Sequence, residues 1–367
     1  MDNIVLHIIP TIEKEYGGPV FALDNIIEML KEQGVKSEIL TIKSKGGTKQ
    51  TYNAEVHEFE SSFPFKFYKS AGAIEWFENN AIQYDAVYLH GIWAFLHLEI
   101  ASICRKKSID YVIRPHSNLD PLDLKKKYWL KQIVGYLWLK KLLKKAKSLH
   151  TTAQVETDRI KTYGADVNFY QVGLPIPKQG KLKTELNQKI NKPVNLLFLS
   201  RIHPKKGLDF LITTLAKINR DDFELTICGT GKKSYEAYIK SLIKKNNLSS
   251  NVIFKGFVSG EEKKTAIEEA DAFVLSSHFE NFGNVIFEML RFNKPVIISK
   301  NIFIWKELSK HDVGWFLDLD EQIWEETLTS ILKNPQLLIK EPEEYINALN
   351  EYSFEELGPK YKEMLVN

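Results

Sequence analysis

Residues Ser276–Ser299 read SSHFENFGNVIFEMLRFNKPVIIS. Together with the residues just before them they alternate in character. Ala272–Ser276 is a short apolar run. Asn284–Phe292 carries apolar residues at helical spacing, at Val285, Ile286, Met289 and Leu290. Pro295–Ser299 is apolar again. The stretch is therefore a buried strand, a loop, a helix, a turn and a second buried strand. Glu280 falls in the loop and Glu288 on the second turn of the helix, with seven residues between them. Both carboxylates can reach one ligand lying across the helix start. The free N–H groups there, at Asn284 and Val285, and the positive dipole end suit an anionic group such as a diphosphate. Carboxylates accept hydrogen bonds from sugar and ribose hydroxyls, and Gly283 lets the backbone come close. The plain alternative is a strand, loop and helix with two solvated glutamates.

Length and composition frame this reading. A chain of 367 residues is long enough for two α/β domains. It is 44% hydrophobic and 26% charged, the balance of a globular protein. Cys104 and Cys228 lie in apolar runs and read as reduced core thiols. The chain opens directly on the strand-like IVLHIIP, with no signal peptide pattern, and no apolar run approaches the ~20 residues that span a bilayer. A cytoplasmic protein is expected. The net charge of +3 is too small to argue for nucleic acid.

In the first half, strand-like runs recur at Ile4–Ile9, Glu38–Thr41, Ala54–Phe59, Ala86–His90, Tyr111–Arg114 and Ser148–Thr151. Helical segments such as Lys66–Asn80 and Phe95–Lys107 lie between them. Such alternation predicts a parallel, doubly wound sheet, whose ligands bind beyond the carboxyl ends of the strands. Three features fall there: the Gly17-Gly18-Pro19 turn, His90 in LHGIW and His116 in IRPHSNLDP. The glycine turn suits an anion or a close backbone approach, or is simply a turn. Lys125–Lys147 is helical in pattern and carries nine lysines with Trp129, Tyr136 and Trp138. It fits either a helix with one core face and one solvated face or a peripheral helix on an anionic membrane. The polar segment Lys178–Lys192, between Pro177 and Pro193, is the best linker.

The second half opens on NLLFLS, then RIHPKKGLDFLITTL. Here Arg201, Lys205 and Lys206 sit in a loop between a strand and a helix. Arg201 can fork onto phosphate oxygens and a lysine adds a point charge; a basic surface loop is the plain alternative. Gly229 and Gly231 follow the strand Glu224–Cys228, either as a structural turn or as a ligand contact. Asp318-Leu319-Asp320 reads as a loop or helix cap rather than a metal-binding pair.

Taken together, FGNVIFEM, KPVII and the basic loop resemble the Glu-x7-Glu and (G/S)R-x4-KG motifs of the retaining glycosyltransferases of family 4, bacterial polysaccharide-biosynthesis type. The likeness covers nearly the whole chain and is strongest from 195 to 317. It implies the GT-B fold: two Rossmann-like α/β domains with doubly wound parallel sheets facing a central cleft. The expected division is an acceptor-side domain over 1–175, a linker over 176–193 and a nucleotide-sugar domain over 194–349. A helix over 350–367 then crosses back to the first domain, kinked or broken at Pro359.

The resemblance also assigns roles. Arg201 and Lys206 grip the donor diphosphate, Glu280 and His116 address the transferred sugar, and Glu288 holds the ribose. Gly17 and Gly18 lie near the donor phosphates and acceptor. Gly256, Phe257 and Val258 run past the nucleobase, and the backbone of Phe282, Gly283, Asn284 and Val285 meets the sugar and diphosphate. His90 stands with His116 on the acceptor side. Ser117 replaces the glycine usual after the family histidine, and VGLPIP lacks the usual asparagine–glycine pair. The implied reaction is retaining, metal-independent and free of cofactors. It moves a hexose from a nucleotide-diphosphate sugar, UDP-glucose being the first expectation, to a glycan or lipid-linked acceptor. The alternatives are a GT-B sugar-nucleotide epimerase and a non-catalytic GT-B binding subunit.

Overall fold

The computed structural model describes residues 3–43, 46–62, 68–116, 137–161, 167–178, 190, 192–218 and 222–367. The chain divides into two compact units, one of Met1–Lys178 with Tyr352–Asn367, the other of Gln179–Glu351. Most of the expected linker, residues 179–189 and 191, lies outside the described residues.

Unit 1 holds the strands β1 Asn3–Ile9, β2 Val35–Ile42, β3 Glu55–Phe59, β4 Ala86–His90, β5 Asp110–Arg114, β6 Ser148–Thr151 and β7 Phe169–Gln171. They form one sheet in the order β3-β2-β1-β4-β5-β6-β7, and each pairing is parallel. A strand covered on both faces must be apolar at every position rather than at alternate ones. β4 is buried along its whole length, as are the last five residues of β1. Helices Gly18–Glu32 and Phe95–Lys107 return the chain between strands.

The closing helix Phe354–Val366 completes this unit. It packs on β1, β4, β5 and Gly18–Glu32, burying Tyr361, Met364 and Leu365. Gly358 makes the approach possible, since a Cβ there would stand 2.6 Å from the Gln33 side chain. The helix runs through Pro359 without a break. Pro359 leaves only the Glu355 carbonyl without its usual donor, near the helix start.

Unit 2 holds β8 Val194–Leu199, β9 Phe223–Cys228, β10 Val252–Gly256, β11 Ala272–Leu275, β12 Val296–Ser299 and β13 Gly314–Leu317. Their order is β10-β9-β8-β11-β12-β13, all parallel. Two helices that the sequence pattern left unmarked, Lys233–Lys245 and Pro342–Asn350, also belong here.

Both sheets start in the middle, run outward, then return to the other side of the first strand. The direction reverses between β1 and β4 in unit 1 and between β8 and β11 in unit 2. In doubly wound sheets the crevice at that reversal, at the carboxyl ends of the strands, is where ligands bind. Cys104 and Cys228 are buried free thiols, and burial pushes Cys104 up to about 12. Among the described residues no helix is long and apolar enough to cross a membrane.

Candidate active site

At the reversal of unit 2, the loop after β8 carries Arg201 and Lys206, and the loop after β11 carries Glu280. The two loops are stitched together. The Ser276 hydroxyl donates to the Gly207 carbonyl at 2.8 Å, and the His278 N–H donates to the Lys205 carbonyl at 2.9 Å. Gly207 is required at this crossing: its φ is +66°, and a Cβ would sit 1.9 Å from the Ser276 carbonyl oxygen. The 3-10 turn Pro204–Lys206 is capped by His203 Nδ1, which accepts from the Lys205 N–H. That turn aims the Lys206 ammonium at Glu280, and the two form an ion pair with side chains 15% and 25% exposed. Glu280 is held from behind as well. Its N–H donates to the Asn301 carbonyl at 3.1 Å, and its carbonyl accepts from the Phe303 N–H at 3.1 Å.

Gly283, at φ +73°, caps the helix Asn284–Arg291 without any side-chain cap, and no acidic residue stands in the first turn. Such a terminus leaves backbone donors and a partial positive charge for an anion. Asn284 is exposed and Val285 half-buried. Phe282 is buried and stacks on Phe287 with ring centroids 4.7 Å apart. Glu288 pairs with Lys263 of the helix Gly260–Glu269. Arg291 is held below its ordinary value by burial, with the Glu288 charge acting the other way. Neither Lys263 nor Arg291 was legible as a neighbour of Glu288. Arg201 is exposed.

Gly229 and Gly231 have a structural role. A Cβ on Gly229 would lie 1.9 Å from the Ser200 carbonyl, and one on Gly231 equally close to that of Ile202. These glycines let the turn after β9 press on the loop after β8. Further out, Gly256 has φ +72° with open space around it, Phe257 is 72% exposed and Val258 is buried. Lys294 of KPVII is buried and donates to the Glu268 carbonyl at 2.9 Å and to that of Ala270, so it ties a helix end rather than meeting a ligand. Asp320 caps the helix Glu321–Lys333 by accepting from the Ile323 N–H at 3.0 Å, and Asp318 pairs with Lys300 at 2.7 Å.

At the reversal of unit 1, Gly17 (φ +86°) caps the helix that opens at Gly18, and a Cβ on either would meet nothing within 4 Å. The turn faces open space. His116 follows β5 with φ +49°, a conformation rare for a residue other than glycine. Residues 117–120, including Ser117, lie outside the described residues. His116 Nδ1 accepts from Arg114 Nε at 3.2 Å, and its Nε2 meets His90 Nδ1 at 3.2 Å. His90 is 1% exposed, and its Nε2 meets His7 Nδ1 at 3.2 Å. His90, expected on the acceptor side, is buried at the sheet edge with its Nδ1 on His116. Burial holds His90 and His116 well below the ordinary histidine value, and Arg114 and neighbouring histidines push the same way. Burial takes His7 down to about 3. Of the lysine-rich stretch, residues 137–143 are helical and 125–136 lie outside the described residues. Trp138 in it donates its indole N–H to the Ile92 carbonyl at 2.8 Å.

Residues 182–351 match the family model of glycosyl transferases group 1. A 2-deoxystreptamine N-acetyl-D-glucosaminyltransferase of Niallia circulans is 27% identical over 320 residues, 78% of this chain and 80% of that one. An uncharacterized glycosyltransferase of Methanocaldococcus jannaschii is 32% identical over 120 residues, 32% of this chain and 30% of the relative. The amylovoran biosynthesis glycosyltransferase AmsK of Erwinia amylovora is 31% identical over 158 residues, 41% of this chain and 37% of the relative. The chain thus matches about a third of the length of the last two. The fold is shared with Anabaena HepE, solved in complex with UDP and glucose, at a TM-score of 0.73, 16% identity and 98% coverage of both chains. Two doubly wound units with a basic loop and a carboxylate loop at the reversal of the second define a GT-B protein. The chain has the GT-B fold, and its residues 182–351 are similar to the group 1 glycosyl transferases.

Proposed function

We propose that this chain is a retaining hexosyltransferase that takes a nucleotide-diphosphate sugar, a UDP-hexose such as UDP-glucose, and glycosylates a glycan or lipid-linked glycan in polysaccharide biosynthesis. The observation that carries the reading is the Lys206–Glu280 ion pair set beside an uncapped helix start at the reversal of unit 2. Leaving-group departure needs preorganised positive charge where negative charge develops. In the proposed complex Lys206 and Arg201 meet the diphosphate, and the N–H groups of Asn284 and Val285 complete its cradle. Glu280 accepts from sugar hydroxyls and Glu288 from the ribose. Gly256 and Phe257 take the nucleobase. On unit 1, the Gly17-Gly18 turn and His116 are assigned to the acceptor and the transferred sugar.

The two glutamates bind hydroxyls in this mechanism rather than attack carbon. The acceptor enters on the face from which the diphosphate leaves, and the departing phosphate oxygen takes its proton, which gives retention. No metal is required, because cationic side chains and backbone donors supply the neutralisation. Support for a uridine nucleotide comes from the shared fold with HepE and the UDP bound there. Support for a hexose-type sugar and a polysaccharide setting comes from the names of the Niallia and Erwinia relatives.

The test is thermal stabilisation by UDP-, GDP- and ADP-sugars, with magnesium or with a chelator. A ligand at a hundredfold excess over its Kd adds about 2.7 kcal/mol to the native state. A shift selective for one nucleotide, unchanged by magnesium and lost in Glu288→Ala and Arg201→Ala, is the expected result. No shift with any of these sugars would overturn the donor site.

A further inference from the structure

A line of polar side chains crosses the unit 1 sheet from its interior to His116. Ser37 lies on β2, His7 on β1, His90 on β4 and His116 after β5, and these strands are neighbours in that order. Ser37, His7 and His90 are all buried. The contacts are Ser37 Oγ to His7 Nε2, His7 Nδ1 to His90 Nε2, His90 Nδ1 to His116 Nε2 and Arg114 Nε to His116 Nδ1, each 3.2 Å. The rings are also packed against one another. His90 lies 5.4 Å from both His7 and His116 between centroids, and 4.3 Å from Tyr88.

Arg114 sets the direction of the whole line. A guanidinium has donors and no acceptor, and a neutral imidazole has one of each. His116 Nδ1 must therefore be the bare nitrogen, so His116 carries its proton on Nε2 and donates to His90 Nδ1. His90 then carries its proton on Nε2 and donates to His7 Nδ1. His7 in turn donates from Nε2 to the Ser37 hydroxyl. The opposite polarity would set two donors face to face at Arg114. An added proton on His116 would do the same, and one on His90 or His7 would set its ring N–H against the donor of the next ring, at a site where an unmade hydrogen bond is costly.

We propose that Arg114, His90, His7 and Ser37 are positioning residues for His116, a hydrogen-bond line of single polarity that fixes its imidazole neutral, in one tautomer and with both nitrogens occupied. His116 then acts as a fixed wall of the sugar site rather than as an acid or base, a statement that rests on the proposed placement of His116 beside the sugar. The φ of +49° at His116 supports this role, because a disfavoured backbone persists where its surroundings over-determine it. The groups facing the line are Arg114, His97, His150 and Tyr88. Arg114 presses on the rings as the fixed positive charge, and among the described residues no hydrogen bond or ion pair brings a carboxylate to them.

Heteronuclear NMR of the full chain with labelled histidine reads the tautomers directly. The expected result is the Nε2–H form at His7, His90 and His116, with none of the three protonated from about pH 6 to about pH 8. Ser37→Ala removes the terminal acceptor at little cost in volume. It is expected to bring a second tautomer to His7, to shift the His116 signals, and to lower kcat about tenfold at an unchanged donor KM. Ser37→Thr, which keeps the hydroxyl, is expected to restore both. An Nδ1–H form or an imidazolium at any of the three rings in that pH range overturns the line. Unmoved His116 signals, or an unchanged kcat, in Ser37→Ala overturn the positioning role. A wild-type chain that transfers no sugar would remove the proposed function, and the tautomer pattern and the His116 signals would still decide the line.

Discussion

The two sheet reversals are built from opposite materials. In unit 2 the residues at the strand ends are charged and reach water: Lys206 with Glu280, Lys263 with Glu288, and Arg201 exposed. In unit 1 they are neutral rings, His7 and His90 sealed in the interior and His116 half-buried at its edge, with Arg114 as the fixed charge among them. The first arrangement can exchange partners when a polyanion arrives, because an ammonium shared with a carboxylate can turn to a phosphate. The second cannot exchange anything without leaving a buried polar group unmatched. One edge is made to respond to a ligand and the other to stay as it is.

The largest test of this contrast is Lys206→Ala. If unit 2 supplies the developing charge with its partner, kcat/KM should fall by about 10²–10³-fold. The folding stability should fall by only about 1 kcal/mol, since the pair is partly solvated. Steady-state kinetics set beside urea unfolding check both halves. A loss of stability without a loss of rate would make the pair structural and erase the contrast.

Acid should separate the units next. Burial lowers His7 to about 3 and His97 to about 4, and takes His90, His116 and His150 well below the ordinary histidine value. All five lie in unit 1, whereas His203, His278 and His311 of unit 2 are not buried. A histidine whose folded value lies below its unfolded value of about 6.5 binds its proton more readily when unfolded. Its contribution is intact above about pH 6.5 and is lost as pH falls from there towards the folded value. Each such ring removes up to about 1.4 kcal/mol per pH unit in that window. Hydrogen exchange between about pH 7 and about pH 5 should therefore show unit 1 opening before unit 2. Equal acid sensitivity of the two units would contradict the neutral, sealed character of the unit 1 edge.

The smallest effect expected is at Asp320. Asp320→Ala should cost unit 2 about 1 kcal/mol, the value of a helix cap, and leave transfer and its response to magnesium unchanged. Denaturant midpoints and initial rates check this. A change in the magnesium response would return Asp318-Leu319-Asp320 to the metal question.

Much of the fold was legible in the sequence, and the reason is burial on two faces. Ala86–His90, Ser148–Thr151 and Gly314–Leu317 stand where the apolar runs placed them, as does the helix Phe95–Lys107. The unit 2 loops were legible because Lys206 and Glu280 each sit in a short, distinctive segment; their pairing, across 74 residues, was not. The unit 1 line was not. His7 is a single polar residue inside an apolar strand, and its partner His90 lies 83 residues away. Parallel pairing joins them through register alone, which no local pattern displays. His90 and His116 were found by their place after strands, but not the order in which they stand. Lys233–Lys245 was missed because a helix with lysine at four of its positions carries few apolar residues to mark its period.

The closing helix has a consequence for the order in which the protein is made. Residues Tyr352–Asn367 belong to unit 1 but are synthesised after the whole of unit 2. During translation unit 1 waits with the seat of Tyr361, Met364 and Leu365 uncovered, beside β4 and β5, while unit 2 already has all its strands. Domains tend to fold as units as they emerge from the ribosome. Here the unit made first is the one finished last, and its uncovered apolar seat is where a nascent-chain chaperone would find something to hold.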